Sequence, residues 1–235
     1  MGFTNKTHWI GAFLLFLASI LLLITTISAP IINHVGLLRV TLANETNFRH
    51  SSVSFGTFGY CILDVPPVNT QQAWCTGRHI GYDPDTVMAR IDSVGISVIE
   101  AGTAASLTRV MVLHPIACGF AFIAFLCSLG AGIIGSLAGA LVAFLAWVLT
   151  LIALATDFMV FGIVRHHVND DPSGSRARFG SAIWCLVGAL IALFLGMLIV
   201  FFTCFAARRE KKRAVKHEQS TPAAATPRRK RFGIF

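Results

Sequence analysis

Two cysteines, Cys61 and Cys75, stand in the polar stretch SFGTFGYCILDVPPVNTQQAWCTG, residues 54–77. In an oxidising compartment such a pair could close a disulfide; in a reducing one it would be two free thiols. Five histidines, His34, His50, His79, His166 and His167, also lie in polar stretches. Each could exchange a proton near neutral pH, although solvated surface histidines are the plainer reading. Asp157 closes a long uncharged run; at mid-membrane it would mark a functional site, whereas at the outer edge of a crossing it sits in the interface, the reading preferred here. No HExxH, nucleophile elbow or phosphate loop occurs. GAGIIG matches part of a dinucleotide pattern without its strand–turn–helix context and reads as a tight turn between closely packed helices. These residues assign no catalytic, metal-binding or cofactor-binding role, and they point to a protein that is not an enzyme.

The elements that must position these residues are apolar. The chain of 235 residues is 55% hydrophobic and 13% charged, with a mean hydropathy of +0.71, values of an integral membrane protein. A crossing helix needs about 20 apolar residues, and four stretches supply them. Residues 9–29 carry no charge. Residues 110–156 carry none either and hold two crossings, broken at the glycines of SLGAGIIGSLAGA. The organisation expected is a cytoplasmic N-terminus at 1–8, crossings at 9–29, 110–130, 136–157 and 182–206, an outer loop at 30–109, an inner turn at 131–135, a second outer loop at 158–181 and a cytoplasmic tail at 207–235. The apolar core of the first crossing exceeds that of a cleaved signal peptide, and Pro30 follows the would-be cleavage position at Ala29. The crossings hold almost no ionisable group to mark an ion path, which disfavours a transporter. His114-Pro115 lies within the second crossing, where the proline is expected to kink the helix.

Ten of the 19 basic residues follow Phe205, which places the tail in the cytoplasm by the positive-inside rule. The N-terminus shares that side, and residues 30–109 face out. Asn44-Glu45-Thr46 is then a glycosylation sequon on the outer side, with Asn44 the acceptor, and Cys61 and Cys75 meet an oxidising medium that lets them pair. Cys118, Cys127, Cys185 and Cys204 read as small apolar residues of helices, with Cys204 also near enough to the inner edge for palmitoylation. The basic runs Arg208, Arg209, Lys211, Lys212, Arg213 and Arg228, Arg229, Lys230, Arg231 would draw anionic lipid at about 1 kcal/mol per charge. Thr221 and Thr226, each followed by proline, would weaken that attraction if phosphorylated. A nucleic-acid role does not suit an anchored chain.

Within the outer loop, residues 37–43 and 51–63 are β-branched or partly alternating and predict short strands, and DVPPVNTQQ is turn material. Val87, Ile91, Val94 and Val98 recur at helical spacing, with a strand over VGISV the alternative. So small a module lacks a sizeable core of its own, which a disulfide and a membrane footing would offset.

The run Phe58-Gly59-Tyr60-Cys61, a second cysteine in the same loop and Arg109 at the boundary with the second crossing resemble the claudin superfamily. No tryptophan precedes Cys61 and the cysteines are widely spaced, so claudin barrier residues do not carry over. FGTFGYC, WCTGRHIGYD and LTRVMVLHPIACGFAFIAFL are similar to the fungal PalI family of pH-response regulators, in the group that also holds the eisosome-associated cortical patch proteins. The resemblance covers roughly residues 8–210. It implies an all-α membrane protein, a claudin-like four-helix bundle with a small disulfide-stapled outer module containing short strands. It implies a plasma-membrane accessory that binds and supports a seven-helix pH sensor, with no cofactor. A structural organiser of cortical membrane domains is the alternative. The aromatic residues Phe58, Tyr60, Trp74 and Tyr82, of a type enriched at interfaces, are the expected partner surface, for other membrane proteins or a second copy of this chain.

Overall fold

The computed structural model describes residues 2–43, 51–64, 73–92, 108–130 and 133–220. The uncharged runs form long helices: α1 (Gly2–Thr26), α3 (Leu113–Leu129, entered through a 3-10 turn at Arg109–Val112), α4 (Ile133–Asp170) and α5 (Ser181–Ser220). Four spans within them, Lys6–Thr26, Arg109–Leu129, Gly135–Asp170 and Ser181–Arg209, are long and apolar enough to cross a membrane. The chain is a multi-pass membrane protein.

Helices in lipid gain nothing by burying one apolar surface rather than another, so they associate where small residues let backbones approach. That rule orders the bundle. Ala18 of α1, Ala121 of α3, Ala143 and Ala146 of α4 and Ala189 of α5 fill the interior. Phe13, Phe122, Phe144, Ile191 and Phe202 point outward. A Cβ on Gly139 would stand 3.1 Å from the Ser128 nitrogen and 3.2 Å from the Ala124 oxygen, so α4 touches α3 there backbone to backbone. Pro115 falls in the first turn of α3 and not in its interior. The 3-10 turn runs into α3 without a break, and the Met111 carbonyl, one turn before Pro115, accepts from His114 Nδ1 at 2.9 Å.

At one end of the bundle sits an antiparallel five-stranded sheet of β1 (Leu38–Thr41), β2 (Ser52–Phe55), β3 (Tyr60–Leu63), β4 (Trp74–Cys75) and β5 (Arg176–Phe179), in the order β4-β3-β2-β1-β5. The two stretches expected to hold strands supply β1, β2 and β3. The Gly56 N–H donates to the Gly59 carbonyl at 2.8 Å to close the β2–β3 hairpin. In register, Leu38 faces Phe55 and Phe179, and Val40 faces Val53 and Ala177. With period 2 these side chains share one face. They pack against Met88 and Ile91 of α2 (Pro84–Asp92), Met111, and Val160, Phe161, Val164 and Val168 of α4. α2 starts as an amphipathic helix should: Asp83 accepts the Thr86 N–H at 3.3 Å as N-cap, and Pro84 takes the first helical position. Val94, Val98 and most of the DVPPVNTQQ turn lie outside the described residues.

Residues 158–181, expected as a second loop, are ordered elements instead. α4 continues to Asp170, because residues 160, 161, 164 and 168 repeat at helical spacing and bury against the sheet, and β5 pairs with β1. The outward edge of β5 is closed: Asn169 accepts the Ala177 N–H at 2.9 Å and donates to the Ala177 carbonyl at 3.2 Å. At the opposite end of the bundle His8 lies 2.9 Å from the Ser128 carbonyl and 3.2 Å from the Thr203 hydroxyl. The start of α1 and the far end of α5 therefore share one end, away from the sheet.

Candidate functional site

The register places Cys61 of β3 directly opposite Cys75 of β4, and they form a disulfide with Cα atoms 4.1 Å apart. It holds β4, only two residues long, against the sheet. The carboxamide oxygen of Asn33 lies 3.4 Å from the Cys75 sulfur and 3.7 Å from that of Cys61; neither sulfur carries a hydrogen, so this is packing, completed by Ala29 and Leu63.

Beside the staple runs an aromatic train. Tyr60 lies 5.9 Å from Trp74 and 5.9 Å from Phe55, whose ring is parallel to Tyr82 at 6.3 Å, spacings at which offset and tilted pairs are favourable. The train divides by depth. Trp74 is 54% exposed, and Phe58 and Tyr60 are half-buried. Tyr82, expected on the partner surface, is 4% exposed and belongs to the core, as does Phe55. The reason is its hydroxyl, which donates to the Gly56 carbonyl at 2.6 Å and so has a partner away from water. Burial, and next the nearby Asp157 charge, push the Tyr82 phenol well above its ordinary value. Burial also raises the Tyr60 phenol, against a smaller lowering by Arg90.

Below this core lies a polar pair that sequence reasoning did not assemble. His114 and Asp157 are both fully buried, with His114 Nε2 3.0 Å from Asp157 Oδ2 and His114 Nδ1 2.9 Å from the Met111 carbonyl. Asp157 is thus not an interfacial carboxylate; it faces the bundle interior where α3 and α4 meet the module. A carbonyl only accepts, so Nδ1 carries the hydrogen there, and the second contact then needs one more proton between Nε2 and the carboxyl. Asp157 Oδ1 has no hydrogen-bond partner among the described residues.

The remaining candidates are dispersed. His34, His79 and His166 are exposed, and His166 pairs with Asp170 at 3.0 Å on the surface of α4. Cys204 is buried. Arg208, Arg209, Lys211, Lys212 and Arg213 continue α5 at the end of its apolar span. Asn44, His50, Thr221, Thr226 and Arg228, Arg229, Lys230 and Arg231 lie outside the described residues. Among the described residues no group of three or more His, Cys, Asp or Glu could hold a metal ion.

Four crossing helices topped by a stapled five-stranded sheet define a tetraspan membrane protein with a folded extramembrane module. Residues 7–210 match the SUR7/PalI family model, and the chain belongs to that family. Three curated relatives are similar. The pH-response regulator protein palI/RIM9 of Emericella nidulans is 30% identical over 114 residues, 48% of this chain and 17% of the relative. Its namesake in Pyricularia oryzae is 30% identical over 111 residues, 47% of this chain and 13% of the relative. The pH-response regulator protein palI/prr-5 of Neurospora crassa is 32% identical over 106 residues, 45% of this chain and 13% of the relative. The matched stretch is thus less than a fifth of each of these relatives.

Proposed function

We propose that the protein is a non-enzymatic plasma-membrane accessory of ambient-pH signalling, which binds and supports a seven-helix pH sensor. The observation that carries this reading is the family match together with three relatives named as pH-response regulators. The architecture supports a holding role: the buried His114 and Asp157 face one another inside the fold, while the stapled sheet presents Trp74, Phe58 and Tyr60 at its surface. The ten basic residues after Phe205 support a cytoplasmic tail that contacts anionic lipid, with the N-terminus on the same side and the sheet outside. Asn44, if glycosylated, agrees with that side.

The test is deletion of the gene, with sensor abundance at the cell surface and growth at alkaline pH as readouts. Both should fall, residues 1–212 should restore both, and Cys61→Ser in the full chain should restore neither. The SUR7 half of the family description favours a second reading, an organiser of cortical membrane domains. Normal sensor abundance and normal alkaline growth in the deletion strain would refute the first reading and favour the second.

A further inference from the structure

We infer that the face of β1 and β5 turned away from the core is a binding site for a multiply charged, phosphate-bearing group. Arg39 stands directly opposite Arg178, and Thr41 opposite Arg176. These four with Leu42 and Gly174 line an open groove of about 400 Å³. Like charges directly opposite on paired strands destabilise the pair, and among the described residues no carboxylate lies within ion-pairing distance of the three arginines. Arg39 spends one donor on the Ser52 hydroxyl at 3.2 Å. Charged residues do guard exposed sheet edges, but that account falls short here. The outward edge groups of Ala177 already go to Asn169, and Arg39 is on an interior strand. Three guanidinium forks on one face of two strands match the oxygens of a phosphate, which they can engage in pairs.

The position also suits such a group. Arg178 is three residues before Ser181, where the last apolar span begins, which is about 10 Å at the rise of a strand. Headgroups occupy roughly 5–8 Å beyond the hydrocarbon on each side, so the long side chains of Arg178 and Arg39 reach lipid phosphates as readily as soluble ones. The ligand chemistry is the same for both sources. The basic run at the end of α5 is at the far side of the bundle and is a separate feature.

The test uses the full chain. In neutral detergent, pyrophosphate and myo-inositol trisphosphate should raise the thermal midpoint in a saturable, salt-sensitive way. Affinity should fall about tenfold for each arginine changed to glutamine at 39, 176 or 178, the expectation for losing one charge-assisted contact. Neutralising Arg208, Arg209, Lys212 and Arg213 should leave that affinity unchanged. Arg178→Gln without ligand should keep or raise the midpoint, since it removes a like-charge neighbour, whereas a merely structural arginine would lower it. In nanodiscs containing phosphatidic acid, lipid retained by the wild type and lost in R176Q/R178Q assigns a headgroup; response to the soluble probes alone assigns a free phosphate; either result supports the site. An equal midpoint shift in wild type and R176Q/R178Q, no shift with any phosphate probe, or binding of a polyglutamate peptide alone would overturn it.

Discussion

His114 and Asp157 meet where neither has access to water, and each makes the other tolerable. Removing one partner leaves an uncompensated polar group, so Asp157→Leu or His114→Leu alone should cost about 3–5 kcal/mol, while His114→Leu with Asp157→Leu should recover most of that loss. Thermal unfolding in detergent for the two single variants and the double would measure it, and additive losses would refute the coupling. Tyr82 supplies a second expectation. Its folded phenol titrates above the unfolded value, about 10, so its contribution is complete below that pH and is lost as pH rises from there through the folded value. Tyr82→Phe should therefore lose about 1–3 kcal/mol by stranding the Gly56 carbonyl, and its midpoint should decline less steeply than that of the wild type above about pH 10. Of these residues only the types were legible in the sequence. Asp157 marks the end of an uncharged run, but its partner is 43 positions away, a distance no local spacing encodes. Trp74 and Tyr82 are equally aromatic, and what lets Tyr82 into the core is the Gly56 carbonyl placed to accept from its hydroxyl.

At the scale of elements, the sheet depends on two local closures. The disulfide fixes β4; in the chain-entropy model Cys61→Ser should cost roughly 3 kcal/mol, and limited proteolysis should then cut first near Trp74. Asn169 fixes the opposite edge, standing in for a missing strand with one side chain. Asn169→Ala should cost about 1–3 kcal/mol of stability, speed hydrogen exchange at Ala177 with Val40 unaffected, and promote self-association through the opened edge. The crossings were legible because 20 apolar residues without charge have few other fates. The strands in 37–43 and 51–63 were legible from β-branched residues. β5 was not: Arg-Ala-Arg-Phe alternates for only four residues, and its strand character comes from pairing with a segment over a hundred residues earlier.

For the molecule as a whole, helix packing puts the start of α1 beside the far part of α5 and the sheet at the other end of the bundle. If the basic tail is inside, a protease added to intact spheroplasts should cut within residues 30–109 and spare residues 207–235, and glycosidase should shift the wild type but not Asn44→Gln; cleavage of the tail in sealed cells would reverse the orientation. One feature couples these ends. α4 runs unbroken for 38 residues, about 57 Å at 1.5 Å per residue. Its lower half packs with Ala143 and Ala146 in the bundle, and its upper half carries the sheet on Phe161, Val164 and Val168. A single rigid rod with one core at each end behaves as a tiller: a torque applied to the sheet by a docked neighbour has no hinge in which to dissipate, and must turn the buried half against α3 at Gly139, where no side chain cushions the movement.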